Sequence, residues 1–153
     1  MCIRDRACIE QYNQPKFVYA HLLLPHGPYF YNEKGELNPD GYRGKEKALY
    51  LGQVKYTETV LKDMVNYILD HSTTPPVIIV QGDHGSRIKH PSIPVEEYYT
   101  AFYTVHLPDR DYEMFYDSIS SVNTYRILFN KYFDANFEML EDKTDYYAPL
   151  KLD

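Results

Sequence analysis

The stretch Pro76-Val77-Ile78-Ile79-Val80-Gln81-Gly82-Asp83-His84-Gly85 decides how the rest of the chain is read. Pro76 through Val80 carry no polar side chain, and the β-branched members fit a pleated surface, so the run predicts a strand covered on both faces. The strand then stops on chemistry. Gly82 and Gly85 flank a carboxylate and an imidazole, and positions without a Cβ allow a sharp turn and close approach to a ligand at the strand's carboxyl end. A hard oxygen ligand beside a borderline nitrogen suits Zn²⁺ or Mn²⁺. Gly-Asp-x-Gly is equally the composition of a plain turn, with Asp bonded to its own backbone and His exposed; on these four residues both readings are open.

Upstream, Ser72-Thr73-Thr74-Pro75 closes a predicted helix that runs from about Lys45 to Asp70. Tyr50, Val54, Thr57, Leu61, Met64 and Ile68 alternate spacings of four and three, which places them on one core-facing stripe. Lys55, Glu58, Lys62, Asp63 and Asn66 fill the other side. His71 falls near the helix C-terminus, where the dipole favours a cation, and is given no catalytic role. Before the helix, Phe17 to Leu24 reads as a second apolar strand, leading into Pro25-His26-Gly27-Pro28-Tyr29, a Pro/Gly loop with a histidine at the strand's end. His26 is therefore a candidate site residue, because sites collect in loops after parallel strands. His21 lies in that strand or at its rim, where a hydrogen-bonded core histidine is the ordinary reading. Strand, long helix and strand make a βαβ unit and predict a parallel sheet. Tyr29 to Gly44, without periodicity, reads as a long loop of the kind that forms lids or substrate walls.

Downstream, Ser86-Arg87-Ile88-Lys89-His90-Pro91 is a polar loop. His90, six residues past His84, can fold back over the strand end, although taken alone it reads as a surface histidine. Arg87 can reach an anionic oxygen from the same loop, and is otherwise an exposed loop arginine. Tyr99 to Leu107 is another β-rich segment in which His106 is structural. Ser121 to Tyr132 reads as an amphipathic helix with Val122, Tyr125, Ile127, Leu128 and Phe129 inward. The acidic, Tyr-rich tail from Asp134 is expected to pack loosely on the outside.

The length of 153 residues fits one domain with a real core. Sixteen Lys and Arg against 22 Asp and Glu give a net charge of -6, which argues against a nucleic-acid binder. Seventeen tyrosines and no Trp suggest aromatic-lined surfaces without specifying a ligand. Cys2 and Cys8, the only cysteines, can build neither a disulfide framework nor a Cys-rich metal site. Met1 to Arg6 lacks the apolar core of a signal peptide and resembles translated adapter sequence, so residues 1–14 are read as a doubtful or non-native start, with the native chain beginning upstream. No run reaches the roughly 18 apolar residues of a membrane span.

The order His21-x-x-x-x-His26-Gly27-Pro28, long helix, apolar strand ending Gly82-Asp83-His84-Gly85, then His90-Pro91 resembles the C-terminal part of the sulfatase-like hydrolase/transferase domain of the alkaline phosphatase superfamily. The branch it looks most like contains the phosphoethanolamine and phosphoglycerol transferases of bacterial envelopes. The resemblance runs from about Phe17 to Phe133 and implies an α/β fold, a partial alkaline-phosphatase-like sandwich with a mostly parallel sheet flanked by helices. It implies that residues 15–153 are the C-terminal portion of a catalytic domain acting on phosphate or sulfate esters. Asp83 and His84 would bind the metal, Zn²⁺ or Mn²⁺, or Ca²⁺ in a true sulfatase. His26 and His90 would be catalytic, as second-metal ligands or contacts to the transferred group, with His21 and Arg87 as substrate contacts. In the family a metal-activated hydroxyl attacks phosphorus or sulfur, and water or an acceptor alcohol resolves the covalent intermediate.

Two features of the pattern are not recognisable here. The family's nucleophile, a Thr, Ser or modified Cys opening a helix, has no counterpart, and neither has its first acidic metal ligand; Cys2 and Cys8 lack the Cys-x-Pro-x-Arg pattern. A fragment, inactive alone, is therefore expected. The family further implies an envelope or periplasmic location, anchorage through missing N-terminal membrane segments and a substrate of the kind that can be lipid-linked. A non-catalytic envelope interaction module of the same fold is an alternative. A calcineurin-like metallophosphoesterase is another, but its Asp-x-His, Gly-Asp-x-x-Asp and Gly-His-x-His motifs are absent.

Overall fold

A computed structural model describes residues 14–39, 46–86, 88 and 94–143. They fall into two compact units, residues 14–78 with Ile88 and residues 79–86 with 94–143. In chain order the elements are helix α1 (Glu46–His71), strand β1 (Ile78–Gln81), a 3-10 turn (Val95–Tyr98), strand β2 (Tyr103–His106) and helix α2 (Ser121–Phe133). The class is α/β.

Helix α1 forms where the apolar period predicts it, within one residue at each end. Thr57 is buried on the expected stripe and its hydroxyl donates to the Gln53 carbonyl at 2.7 Å, one turn back. Tyr50, Val54, Leu61, Met64 and Ile68 are half-buried on the same side. At the far end His71 stacks on Tyr67, with ring centroids 3.9 Å apart, and donates through Nδ1 to the Tyr67 carbonyl at 2.9 Å. A helix leaves its last carbonyls without intrahelical donors, and this imidazole supplies one.

Residues 30–38, expected as part of a structureless loop, form a small hairpin in the first unit. Tyr31 and Leu37 make an antiparallel bridge, and Asn32 organises the turn. Its Oδ1 accepts from the Lys34 and Glu36 amides at 2.9 and 3.0 Å, and its Nδ2 donates to the Glu36 carboxylate at 2.8 Å. Gly35 adopts φ +79°, and a Cβ there would lie 2.4 Å from the Tyr56 ring, so the position requires glycine twice over. The rest of the expected loop, residues 40–44, lies outside the described residues.

Phe17 to Leu24 joins no ladder among the described residues, contrary to the expected strand. Phe17, Val18, Tyr19 and Leu23 are all exposed. An apolar run becomes a strand only where a neighbouring edge accepts and donates its backbone bonds, and no described strand pairs with this run. The sheet that does form pairs β1 with β2, extended by the Gly82 amide donating to the Phe102 carbonyl at 2.8 Å. The end of β1 therefore meets the start of β2, an antiparallel pair where a mostly parallel sheet is expected. Ile78, Ile79 and Val80 are half-buried rather than covered on both faces.

In the second unit α2 starts at Ser120, whose hydroxyl accepts from the Asn123 amide at 3.2 Å, and stops at Asp134 in the left-handed region. Its buried face is Asn123, Thr124, Ile127 and Leu128, so Val122, Tyr125 and Phe129, expected inward, are exposed. The tail explains the rotation. Asn123 Nδ2 donates to the Leu140 carbonyl at 2.7 Å while its Oδ1 accepts from the Leu140 amide at 2.9 Å. Asn130, seven residues on and so on the same face, repeats the exchange with Phe137 at 2.8 and 2.6 Å. Each carboxamide pairs with one backbone residue as a neighbouring strand would. Asp142 completes the strap, accepting from the Ser120 amide at 2.8 Å, from Asn123 Nδ2 at 2.9 Å and from the Tyr116 hydroxyl. Residues 137–142 are thus bonded along α2 rather than loosely packed.

Replacing Asn123 with Ala should cost about 1–3 kcal/mol in denaturant unfolding, because it strips partners from Leu140 and Asp142 together; a change under about 0.5 kcal/mol would show that the tail is not strapped. The bonds from Ser120, then those from Tyr116 and Asn123, hold the Asp142 carboxyl down at about 2. A folded value below the unfolded one means that this stabilisation is present above about pH 4 and lost as pH falls through about 2. Thermal midpoints across that acid range should fall less steeply in Asp142→Asn than in the unsubstituted chain, and parallel slopes would refute the assignment.

Candidate functional site

The turn after β1 is held at both ends. Gly82 donates to Phe102 just before β2, and Gly85 donates to the Tyr98 carbonyl at 3.0 Å, at the end of the 3-10 turn. A Cβ on Gly85 would lie 1.9 Å from the Glu97 carbonyl oxygen and 2.8 Å from that of Thr100, so no other residue fits without moving the backbone. A Cβ on Gly82 would meet nothing closer than 3.6 Å, and neither glycine has a positive φ. The expected sharp two-glycine turn is therefore corrected: Gly85 is needed for close approach, and Gly82 is not needed for its conformation.

His84 is half-buried and donates through Nδ1 to the Gly85 carbonyl at 2.6 Å. A carbonyl only accepts, so Nδ1 carries a proton, and in the neutral form of the ring the lone pair lies at Nε2. That nitrogen lies 3.7 Å from Oδ2 of Asp83, whose side chain is 91% exposed. Two ligand atoms on one tetrahedral Zn²⁺ stand about 3.4 Å apart, given bonds near 2.1 Å, so the pair needs little adjustment to share an ion. The carboxylate accepts no hydrogen bond from a described backbone amide, unlike the Asp of a plain turn. The donor set and spacing fit two corners of a divalent-metal site. Among the described residues no three His, Cys, Asp or Glu side chains gather into a group that could hold a metal.

His26 sits in the first unit and has the same local geometry. Its Nδ1 donates to the Gly27 carbonyl, its amide donates to the Leu23 carbonyl at 2.8 Å, and its exposed ring leaves Nε2 without a described partner. Behind the loop lies Gln53 of α1, fully buried. Its Nε2 donates to the carbonyls of Pro25 at 3.2 Å and His26 at 2.9 Å, and its Oε1 accepts from the Tyr31 amide at 3.1 Å. Sequence reasoning passed over Gln53, yet the signal is there: a carboxamide three residues after Tyr50 and four before Thr57 stands on the apolar stripe and must find partners.

His21 is exposed, tilted against Tyr19 with ring centroids 6.4 Å apart, and is not the core histidine expected. Asp83 and His84 are brought together in the second unit, while His21 and His26 share one segment of the first. Arg87 and His90 lie outside the described residues.

Comparison with protein families matches residues 6–136 to the family described as Sulfatase. The chain belongs to the sulfatase family. This is a family of hydrolases and transferases of the alkaline phosphatase superfamily, and it generally uses a divalent metal. The sulfatase match spans both histidine–glycine turns, α1, the β1–β2 pair and α2. No curated protein and no solved structure matches the chain.

Within this sulfatase-family domain, Gly85→Ala should destabilise by about 1–3 kcal/mol, because its Cβ collides with backbone rather than with a flexible side-chain tip. Gly82→Ala should stay within about 1 kcal/mol of the unsubstituted chain. Equal melting temperatures for the two variants would disprove the clamp.

Proposed function

We propose that this sulfatase-family chain is part of a metal-dependent hydrolase or transferase of phosphate or sulfate esters, with Asp83 and His84 as metal ligands. The observation that carries the reading is the pairing of Asp83 Oδ2 with a His84 Nε2 whose lone pair is aimed by the Nδ1 bond to Gly85. When bound, a divalent cation there supplies Lewis-acid stabilisation of ester oxygens and lowers the pKa of an attacking hydroxyl. Asp83 offers a carboxylate at the solvent edge, and His84 offers an imidazole nitrogen on a clamped backbone.

His26 presents an exposed Nε2, suited to contact a non-bridging oxygen or, once protonated, to donate to a leaving group. The proposal extends to His90 as a second such group and to His21 and Arg87 as contacts to the anionic substrate. The order of His26-Gly27-Pro28, Gly82-Asp83-His84-Gly85 and His90-Pro91 supports a phosphoethanolamine- or phosphoglycerol-transferase-like branch, an envelope location and a lipid-linked substrate. In this reading the nucleophile and the first acidic ligand come from the remainder of the catalytic domain. The exposure of Phe17, Tyr19 and Leu23 supports further domain elements covering that segment.

Calorimetric titration with Zn²⁺ and with Mn²⁺ tests the assignment. Saturable binding should weaken by at least about tenfold in Asp83→Ala/His84→Ala, and equal binding by both chains would remove these residues as ligands. On the complete catalytic domain, turnover of a phosphodiester against a sulfate ester then decides the substrate class.

A further inference from the structure

We infer that Gln53 is the positioning residue for His26: its buried carboxamide fixes the peptide units on both sides of the His26 Cα and thereby the direction in which Nε2 points. The functional weight of this inference rests on the proposed role of His26 at the transferred group. The bonding itself does not.

The Pro25 carbonyl belongs to the peptide unit before His26 and the His26 carbonyl to the unit after it. Both accept from the single Nε2 of Gln53, at 3.2 and 2.9 Å. Holding both units fixes the two backbone torsions of His26, leaving only the side-chain torsions free. Those are restrained in turn by the Nδ1 bond to Gly27, whose carbonyl belongs to the next unit along. The carboxamide cannot be turned the other way round, because the Tyr31 amide can only donate to it and the two carbonyls can only accept from it. A group that only filled space on an apolar stripe would be better served by Leu or Met. A fully buried amide persists where each of its polar atoms has a partner, and here both donors and the acceptor are used. Glutamate has the same shape but would aim a carboxylate at two carbonyls. His84, with the same ring-to-glycine bond, has its backbone held by the Gly85 clamp instead, so the two histidines reach one presentation by independent means.

Nitrogen NMR of the full chain, with labelled imidazoles and no added metal, reads this directly. In the unsubstituted chain His26 and His84 should both show the Nδ1–H tautomer. In Gln53→Met, His26 should lose that preference while His84 keeps it; retention at His26 in a folded Gln53→Met chain overturns the inference. Gln53→Glu keeps the acceptor for Tyr31, so the Tyr31 amide should stay protected from exchange while His26 alone loses its tautomer preference. A measurement on the unsubstituted chain keeps the test decisive if neither variant folds: both Gln53 Nε2 protons should exchange far more slowly than those of a solvated amide, and solvent-like exchange overturns the inference. Turnover by His26→Ala in the complete domain tests the underlying role separately. Unchanged turnover there would remove His26 from the reaction without altering the tautomer result.

Discussion

The bond from the Gly85 amide to the Tyr98 carbonyl, 3.0 Å long, sets the position of the Asp83-His84 pair. It brings the backbone after His84 so close to the 3-10 turn that the Glu97 carbonyl occupies the volume a side chain would need. The clamp holds the peptide unit after His84, and the Gly85 carbonyl, in the next unit along, accepts from His84 Nδ1 and turns Nε2 toward Asp83. The apolar strand before it contributes the other fixed end, through Gly82 and Phe102. The chemistry of the turn therefore depends on two backbone bonds and one enforced absence of a Cβ.

The parts of this arrangement legible in the sequence are those governed by near neighbours. Helix α1 is readable because its period needs only itself and a face to bury, and the Gly-Asp-His-Gly turn is readable because its residue types are few and special. Phe17 to Leu24 misleads for the opposite reason. Its composition is that of a strand, but strand formation is a property of pairs, and composition says nothing about whether an edge is present. The hairpin at Asn32 was hidden because an Asx-type turn with Gly35 three residues on looks, residue by residue, like any polar loop. In α2 the apolar residues Val122, Tyr125 and Phe129 suggested the buried face, yet the helix buries Asn123 because the tail supplies its partners from 17 to 19 residues away. No local pattern reports a bond of that span.

Buried carboxamides do in this chain much of what an apolar core does elsewhere. Among the described residues the buried apolar side chains are Leu107, Ile127 and Leu128, whereas Gln53, Thr57, Asn123 and Thr124 are buried and polar. Apolar contact is non-directional, and several arrangements of similar volume satisfy it. An amide with both donors and its acceptor committed admits few arrangements, because each misplacement leaves a desolvated group unpaired at a cost of about 1–3 kcal/mol. Gln53 and Asn123 therefore specify geometry more sharply than they add stability. Gln53 fixes a loop with a histidine on it, and Asn123 fixes a tail against a helix.

The two histidine–glycine turns show the same preference for direction over bulk. In each, a ring proton on Nδ1 is given to the carbonyl of the following glycine, so the opposite nitrogen is the one that carries the lone pair in the neutral ring. A histidine held this way is a poor core residue and a good ligand, because the nitrogen that would otherwise need a buried partner is the one left accessible. The carboxylate of Asp83, exposed and beside such a nitrogen, adds the charge that a divalent cation requires, and the chain's net charge of -6 favours cations over anions at long range. The same net charge disfavours the approach of any anion to this surface unless positive charge is supplied locally.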